Sequence, residues 1–188
     1  MIAENHPFFF LLPLFQKKDA IFSLSKYVYV PDSLFDQREY LAIPAEDFSE
    51  ARINDEIASL RSDQELALHS TVRIKGKKYH IPMIDFSIEK SVERNVFDRM
   101  SRYLPKSLML NMAMYTSGRS FHAYSTTLLG SKDWYDFMGR LLLVNPCRQP
   151  DIVDTRWIGH RLIGGFGSLR WSNNSRQYLG LPSRIPFP

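Results

Sequence analysis

Three stretches of this chain carry side chains that could do chemistry. The first is Met83-Ile84-Asp85-Phe86-Ser87, a carboxylate set in an otherwise apolar strand pattern. Burying a carboxylate is costly unless a cation or hydrogen bonds compensate. Asp85 therefore asks for a cation, or else lies at a hydrated strand end. Alternation along a strand puts Asp85, Ser87 and Glu89 on one side. The second stretch is Ser117-Gly118-Arg119-Ser120-Phe121-His122. Its glycine turn can aim backbone N–H groups at a ligand, its two hydroxyls and arginine are anion donors, and His122 shares a strand face with Ser120. That collection suits a phosphate, a nucleoside triphosphate above all; a plain hairpin turn with a satisfied core histidine is the competing reading. The third is Asp151-Ile152-Val153-Asp154-Thr155, where Asp154 is either a helix N-cap or a carboxylate offered to a metal, with Asp151 a near competitor. Downstream, Arg170 sits inside the apolar stretch Leu169-Arg170-Trp171, where an arginine pairs with a carboxylate or a phosphate.

The elements that must position these groups follow from periodicity and punctuation. Tyr27-Val28-Tyr29-Val30 reads as a short strand closed by Pro31 and Asp32. Phe48, Ile53, Ile57 and Leu60 share a helical face, and residues 70–75 and 78–83 flank a turn at Gly76-Lys77. From residue 81 onward the pattern predicts a strand at 83–87, a helix at 89–104 ended by Pro105, and a strand at 108–115. It then predicts a strand at 120–127, a helix capped by Ser131, a short helix at 155–163 and a last strand at 166–171. Leaving out the short helix, the order is β-α-β-β-α-β, the split arrangement of ferredoxin-like and RNA-recognition-type units. In that topology Asp85, His122 and Arg170 come from adjacent strands. The expected class is α+β: a single domain, with an N-terminal α/β unit (1–80), a βαββαβ unit (81–175) and an extended tail (176–188).

The chain has 188 residues, of which 44% are hydrophobic and 23% charged, enough for one well-buried core. Its one cysteine, Cys147, excludes an intrachain disulfide and a four-thiolate zinc site. The apolar run at residues 8–15 is interrupted by Pro13, too short to span a bilayer and without the flanks of a signal peptide. A soluble cytoplasmic protein without membrane partners is expected. Charge is unevenly placed. Residues 1–80 carry 10 basic and 12 acidic side chains, whereas residues 81–188 carry 14 and 8. From Thr155 onward Arg156, Arg161, Arg170, Arg176 and Arg184 meet no acid. An anionic partner is expected there. The interleaved rings Trp157, Phe166, Trp171 and Tyr178 would suit single-stranded nucleic acid, or core packing.

Taken together, these stretches resemble the archaeo-eukaryotic primase superfamily, the primase-polymerases. The segment around Asp85 looks like the family's first acidic motif, Ser120-Phe121-His122 with its upstream Ser-Gly-Arg looks like the second, and Asp154 followed by Arg170 looks like the third. The likeness covers roughly residues 80–175. It implies a catalytic unit of RNA-recognition type and nucleotidyl transfer from nucleoside triphosphates on a DNA template with Mg²⁺ or Mn²⁺. Asp85 and Asp154 would hold metal, with Glu89 a candidate third ligand. Ser117, Arg119, Ser120, His122 and Arg170 would hold the incoming triphosphate. Arg156, Arg161, Trp171 and Arg176 would contact DNA or RNA, single-stranded or as template and primer. The sequence departs from the family at Ser87, where a second acid is expected. The resemblance therefore also admits a reduced module that binds nucleic-acid ends or nucleotides within a larger complex. A helicase or other subunit would act in trans.

Overall fold

The computed structural model describes residues 1–31, 33–34, 37–89 and 91–186. In chain order the first half contains α1 (Pro7–Phe15), β1 (Ala20–Val28), β2 (Gln37–Pro44), α2 (Glu50–Ala58), β3 (Gln64–Ile74) and β4 (Lys77–His80). The second half contains β5 (Met83–Asp85), α3 (Arg94–Tyr103), α4 (Lys106–Leu110), β6 (Met112–Thr116), β7 (Phe121–Ser125) and β8 (Leu129–Gly130). It continues with α5 (Ser131–Val144), α6 (Thr155–Gly164), β9 (Ser168–Arg170) and β10 (Ser183–Ile185). The fold is α+β, with two antiparallel sheets.

The apolar run near the N-terminus becomes α1. Pro7 occupies its first turn, where a missing N–H is harmless. Phe8, Leu11, Leu14 and Phe15 are buried, and Phe15 packs on Phe48 at 4.1 Å and on Phe22 at 4.9 Å. The larger sheet runs β2-β1-β3-β4-β8. Of the predicted strand at 27–30 only residues 27 and 28 are strand, the end of β1, whose earlier residues Ser23, Ser25 and Lys26 break the apolar pattern; residues 29 and 30 lie beyond it. β2 has no alternating apolar signature because it is a mostly exposed edge. The predicted turn at Gly76 is found, with Lys75 and Gly76 both at positive φ (49° and 78°), as a tight hairpin requires. The proposed strand terminator Asp32 lies outside the described residues, as do Lys90 in the predicted helix and the end of the predicted tail at Phe187 and Pro188.

The second sheet runs β10-β6-β7-β5. β7 lies between β5 and β6, the neighbours expected of a split βαβ unit. The fourth strand does not flank the first. β9 pairs with β3 instead, in register Ala67↔Arg170 and His69↔Ser168. β3 is eleven residues long, so its edge accommodates β4 at one end and β9 at the other. Other boundaries move for local reasons. After β5 the chain stays extended, with Phe86 bridging Val153 and the Ser87 N–H donating to Ile152, so α3 starts at Arg94 and not at 89. The apolar run at 108–115 splits into a helical turn, α4, and β6, two outcomes that periodicity cannot separate in a short apolar stretch. Ser131 is the first helical residue of α5; Gly130, held in β8 by Tyr79, is its cap. The tail ends in β10 on the edge of β6. Among the described residues no helix is long and apolar enough to cross a membrane.

Two buried histidines lock the elements around this core. His6 accepts at Nδ1 from the Phe8 N–H (3.2 Å) and donates from Nε2 to the Trp171 carbonyl (2.9 Å). The Gly167 N–H donates to Ser70 Oγ (2.8 Å), which leaves that hydroxyl to donate to His80 Nδ1 (2.9 Å), and the His80 ring stacks on Trp134 at 4.5 Å. Both rings must be neutral to accept at Nδ1. Burial is the main reason that each has its pKa lowered from 6.5 to about 4. The unfolded chain takes up these protons near pH 6.5 and the folded chain only near 4. Stability is therefore full above pH 6.5 and declines as pH falls toward 4. The urea midpoint followed by circular dichroism is expected to drop between pH 7 and pH 4.5, and His6→Asn, which keeps a capping side chain, to show a shallower decline. A midpoint constant over that window would refute the assignment of neutral rings.

Candidate functional site

Register places the chemistry. Cross-strand partners share a face, so Arg38 and Tyr27, Tyr40 and Ser25, Ala67 and Arg170, and His69 and Ser168 all lie on one side of the larger sheet. That side is polar, while Leu24, Leu66, Leu68 and Leu169 fill the core on the other. Against the polar side lies the end of the second sheet, where Asp85 on β5 is the direct partner of His122 on β7. Between them opens a cleft of about 420 Å³, within the size range of small-molecule sites.

Asp85, Ser117, Arg119, Ser120, His122, Asp154, Arg156, Arg161 and Arg170 all line this cleft. Sequence reasoning placed each of them at a site, and the fold brings them together from four separate segments. Glu89 and Arg176 are exposed and do not line it; Ser87 is also exposed and outside it. Trp171 is fully buried, packed among His6, Phe15 and Phe48, so it offers no face to nucleic acid. Several lining residues were missed: Tyr29, Arg38 and Gln177, together with Tyr27. The alternation Tyr27-Val28-Tyr29 was a usable signal, since both rings fall on one side. Arg38, on a polar edge strand, had none.

The two acids meet through the backbone. The Asp154 N–H donates to the Asp85 carbonyl at 2.9 Å, extending the bridge between Phe86 and Val153. Asp154 Oδ1 also caps α6 by accepting from the Trp157 N–H at 2.9 Å, so the N-cap reading of Asp154 holds while the residue faces the cleft. Burial and, next, the charge of Asp154 push the Asp85 carboxyl up to about 8, against the opposing pull of Arg161 and Arg170. Its side chain remains 23% accessible, open to a ligand. His122 Nε2 stands 3.6 Å from Asp85 Oδ1. Burial and then Arg170 push the imidazole down to about 3. The imidazole is therefore neutral at neutral pH, and this contact is not an ion pair. His122 Nδ1 is buried with no hydrogen-bond partner among the described residues.

Arg170 is 4% exposed. It donates to the carbonyls of Ser172, Ser117 (2.5 Å) and Gly180 (3.1 Å), and its guanidinium lies 4.0 Å from the centre of the Tyr178 ring. The turn that it touches is tight. Ser117 N–H donates to the Ser120 carbonyl at 2.8 Å and the two hydroxyls are 3.1 Å apart. The Gly118 N–H already donates to Thr116 Oγ1 at 3.3 Å. Arg119 and Arg156 are exposed, and Arg161 lies over Phe166 at 6.0 Å. Among the described residues no three His, Cys, Asp or Glu side chains form a metal-binding group. The pair Asp85 and Asp154 is a two-carboxylate donor set whose mutual repulsion a cation would relieve.

The description "archaeo-eukaryotic primase 1D-like" belongs to the family that matches residues 44–183. No curated protein and no solved structure matches the chain at a significant level.

Gly118 has φ +103°, and a Cβ there would stand 3.1 Å from the backbone nitrogens of both Leu179 and Gly180. Gly118→Ala is expected to cost about 1–3 kcal/mol, read as a lowered melting temperature by calorimetry. An unchanged melting temperature would mean that the segment after β9 does not hold this turn in place.

Proposed function

The chain belongs to the archaeo-eukaryotic primase superfamily, and on that premise we propose that the cleft carries out nucleotidyl transfer. Nucleoside triphosphates would be joined into short strands on a DNA template. The supporting observation is the convergence in one cleft of two carboxylates, an imidazole and the Ser117–Ser120 turn, with arginines around them. β5, α3, β6 and β7 are read as the matching part of an RNA-recognition-like catalytic unit.

In this reading a 3′-hydroxyl attacks the α-phosphorus, its proton passes to solvent water, a new P–O bond forms, and the bond to the pyrophosphate oxygen breaks with the electron pair leaving on pyrophosphate. Asp85 and Asp154 would hold Mg²⁺ or Mn²⁺. Magnesium commonly takes one or two carboxylates and fills its sphere with phosphates and water, which fits this donor pair. When bound, the cation neutralises polyphosphate charge and favours the ionised form of the attacking hydroxyl. Ser117 and Ser120 would donate to phosphate oxygens, while Arg119 adds charge at the mouth. Arg170 has three carbonyl partners already, so its role would be to fix the turn and to place a positive charge behind the triphosphate. His122, kept neutral by burial, would donate a hydrogen bond to a phosphate without first losing a proton. Arg156 and Arg161 would meet the strand, with a helicase or other subunit contributing in trans.

A second reading is a reduced module that binds nucleotides or nucleic-acid ends without polymerising. It is favoured by one observation: Ser87 and Glu89, the positions that would complete the first acidic motif, are exposed and lie off the cleft.

The test combines a single-stranded template, labelled triphosphates and Mn²⁺. Template-dependent products are expected from the wild type, reduced about 100-fold or more in Asp85→Asn and His122→Ala. Asp154→Asn is informative because asparagine caps helices as well as aspartate does. It should lose product while its melting temperature is kept. Products undiminished in Asp85→Asn would sink the catalytic reading, and salt-sensitive binding without any product would select the second.

A further inference from the structure

One wall of the cleft is used neither by the carboxylates nor by the Ser117–Ser120 turn. The end of β1 and the segment after β9 build it. Tyr29 is 44% exposed, and its ring centre lies 6.4 Å from that of the half-buried Tyr178, tilted by 52°. The Arg170 guanidinium covers part of Tyr178 and, through its bond to the Ser117 carbonyl, joins this ring to the turn. The wall is braced from behind. Tyr27 is 6% exposed, its hydroxyl is 3.5 Å from that of Tyr178, and Arg38 lies 4.5 Å over its ring. Arg38 is held by Ser25 Oγ at 2.9 Å and Ser168 Oγ at 3.2 Å, and Ser25 by His69 Nε2 at 2.8 Å. The result is a fixed aromatic surface with Tyr29 accessible at its rim.

We propose that Tyr29 and Tyr178 form a stacking subsite for the base of the nucleotide whose phosphates sit at the Ser117–Ser120 turn. The inference rests on the reading of the cleft as a nucleotide site. The occupant must be flat and unsaturated to use the rings, and anionic to use the five arginines that line the same cavity. A nucleobase tethered to phosphates meets both demands; an apolar peptide leaves the arginines unused. Tyr27 and Arg38 are positioning residues. Gln177 lines the same cavity, but stacking needs only the flat face of a base, so it gives affinity with little choice among bases.

The experiment is calorimetric titration of the full chain, with Mg²⁺, by ATP, GTP, CTP, UTP and inorganic tripolyphosphate. The wild type is expected to bind all four nucleotides within a few-fold of one another, and each of them more tightly than tripolyphosphate. Tyr29→Ala should weaken every nucleotide by roughly 5- to 150-fold, leave tripolyphosphate alone, and be rescued by Tyr29→Phe. Tyr178→Phe, which keeps the ring, should bind nucleotides as the wild type does. Nucleotide binding unaffected by Tyr29→Ala, or an equal loss for tripolyphosphate, overturns the subsite while leaving the anion-binding cleft standing. A wild type that binds neither nucleotides nor tripolyphosphate overturns the nucleotide reading itself, and the subsite with it.

Discussion

A guanidinium that is almost wholly enclosed must find its hydrogen bonds inside the protein. Arg170 finds them at three places: the residue two positions on, the segment just after Tyr178 and, far away in the chain, the turn before β7. An unpaired buried charge would cost several kcal/mol, so these segments cannot move apart freely. Arg170 is held on β3 by its register with Ala67, which makes it the point where the larger sheet, the smaller sheet and the C-terminal segment are tied. The position of the Ser117–Ser120 turn, the fit of Gly118 against Leu179 and Gly180, and the stacking of Tyr178 all depend on it.

The electrostatics of the cleft follow from the same enclosure. Asp85 and Asp154 are brought together by backbone pairing, which takes no account of their charge. Burial, and next the charge of Asp154 beside it, is expressed as the raised Asp85 carboxyl. Five arginines line the surrounding cavity, yet Arg170 is saturated by carbonyls and Arg38 is committed to Ser25 and Ser168. The cleft therefore sets its acid pair among arginines, two of which are already committed to partners within the protein.

A different buried carboxylate shows how a fully hydrogen-bonded acid behaves. Glu65 is 1% exposed and accepts from the Asn174 N–H at 2.8 Å, from the Ser175 N–H and hydroxyl at 2.7 Å, and from the Ser172 hydroxyl. It anchors the loop that leads to Tyr178 and so supports the cleft wall without taking part in it. Among the described residues Asp85 has no comparable set of donors, which separates it from a structural acid.

Residue types and local spacing were enough to find the acidic strand, the Ser-Gly-Arg turn, the helix that Asp154 caps and the excess of arginine toward the C-terminus. All of these are short-range properties, readable from alternation, turn chemistry and capping. They were also enough for the resemblance that the match over residues 44–183 upholds. That Arg170 faces the cleft while Trp171 next to it turns into the core was decided by strand pairing, because a shift of one residue along a strand exchanges its two faces. The same holds for β9, which pairs with β3 only because that strand is long enough to offer a second edge, and for Arg38 and Tyr27, brought in by a hairpin whose outer strand is too polar to announce itself. Ser87 and Glu89 have the right parity in sequence, yet the chain leaves the strand to pair with residues 152–154, and that long-range pairing carries both side chains away from the acids they were expected to join.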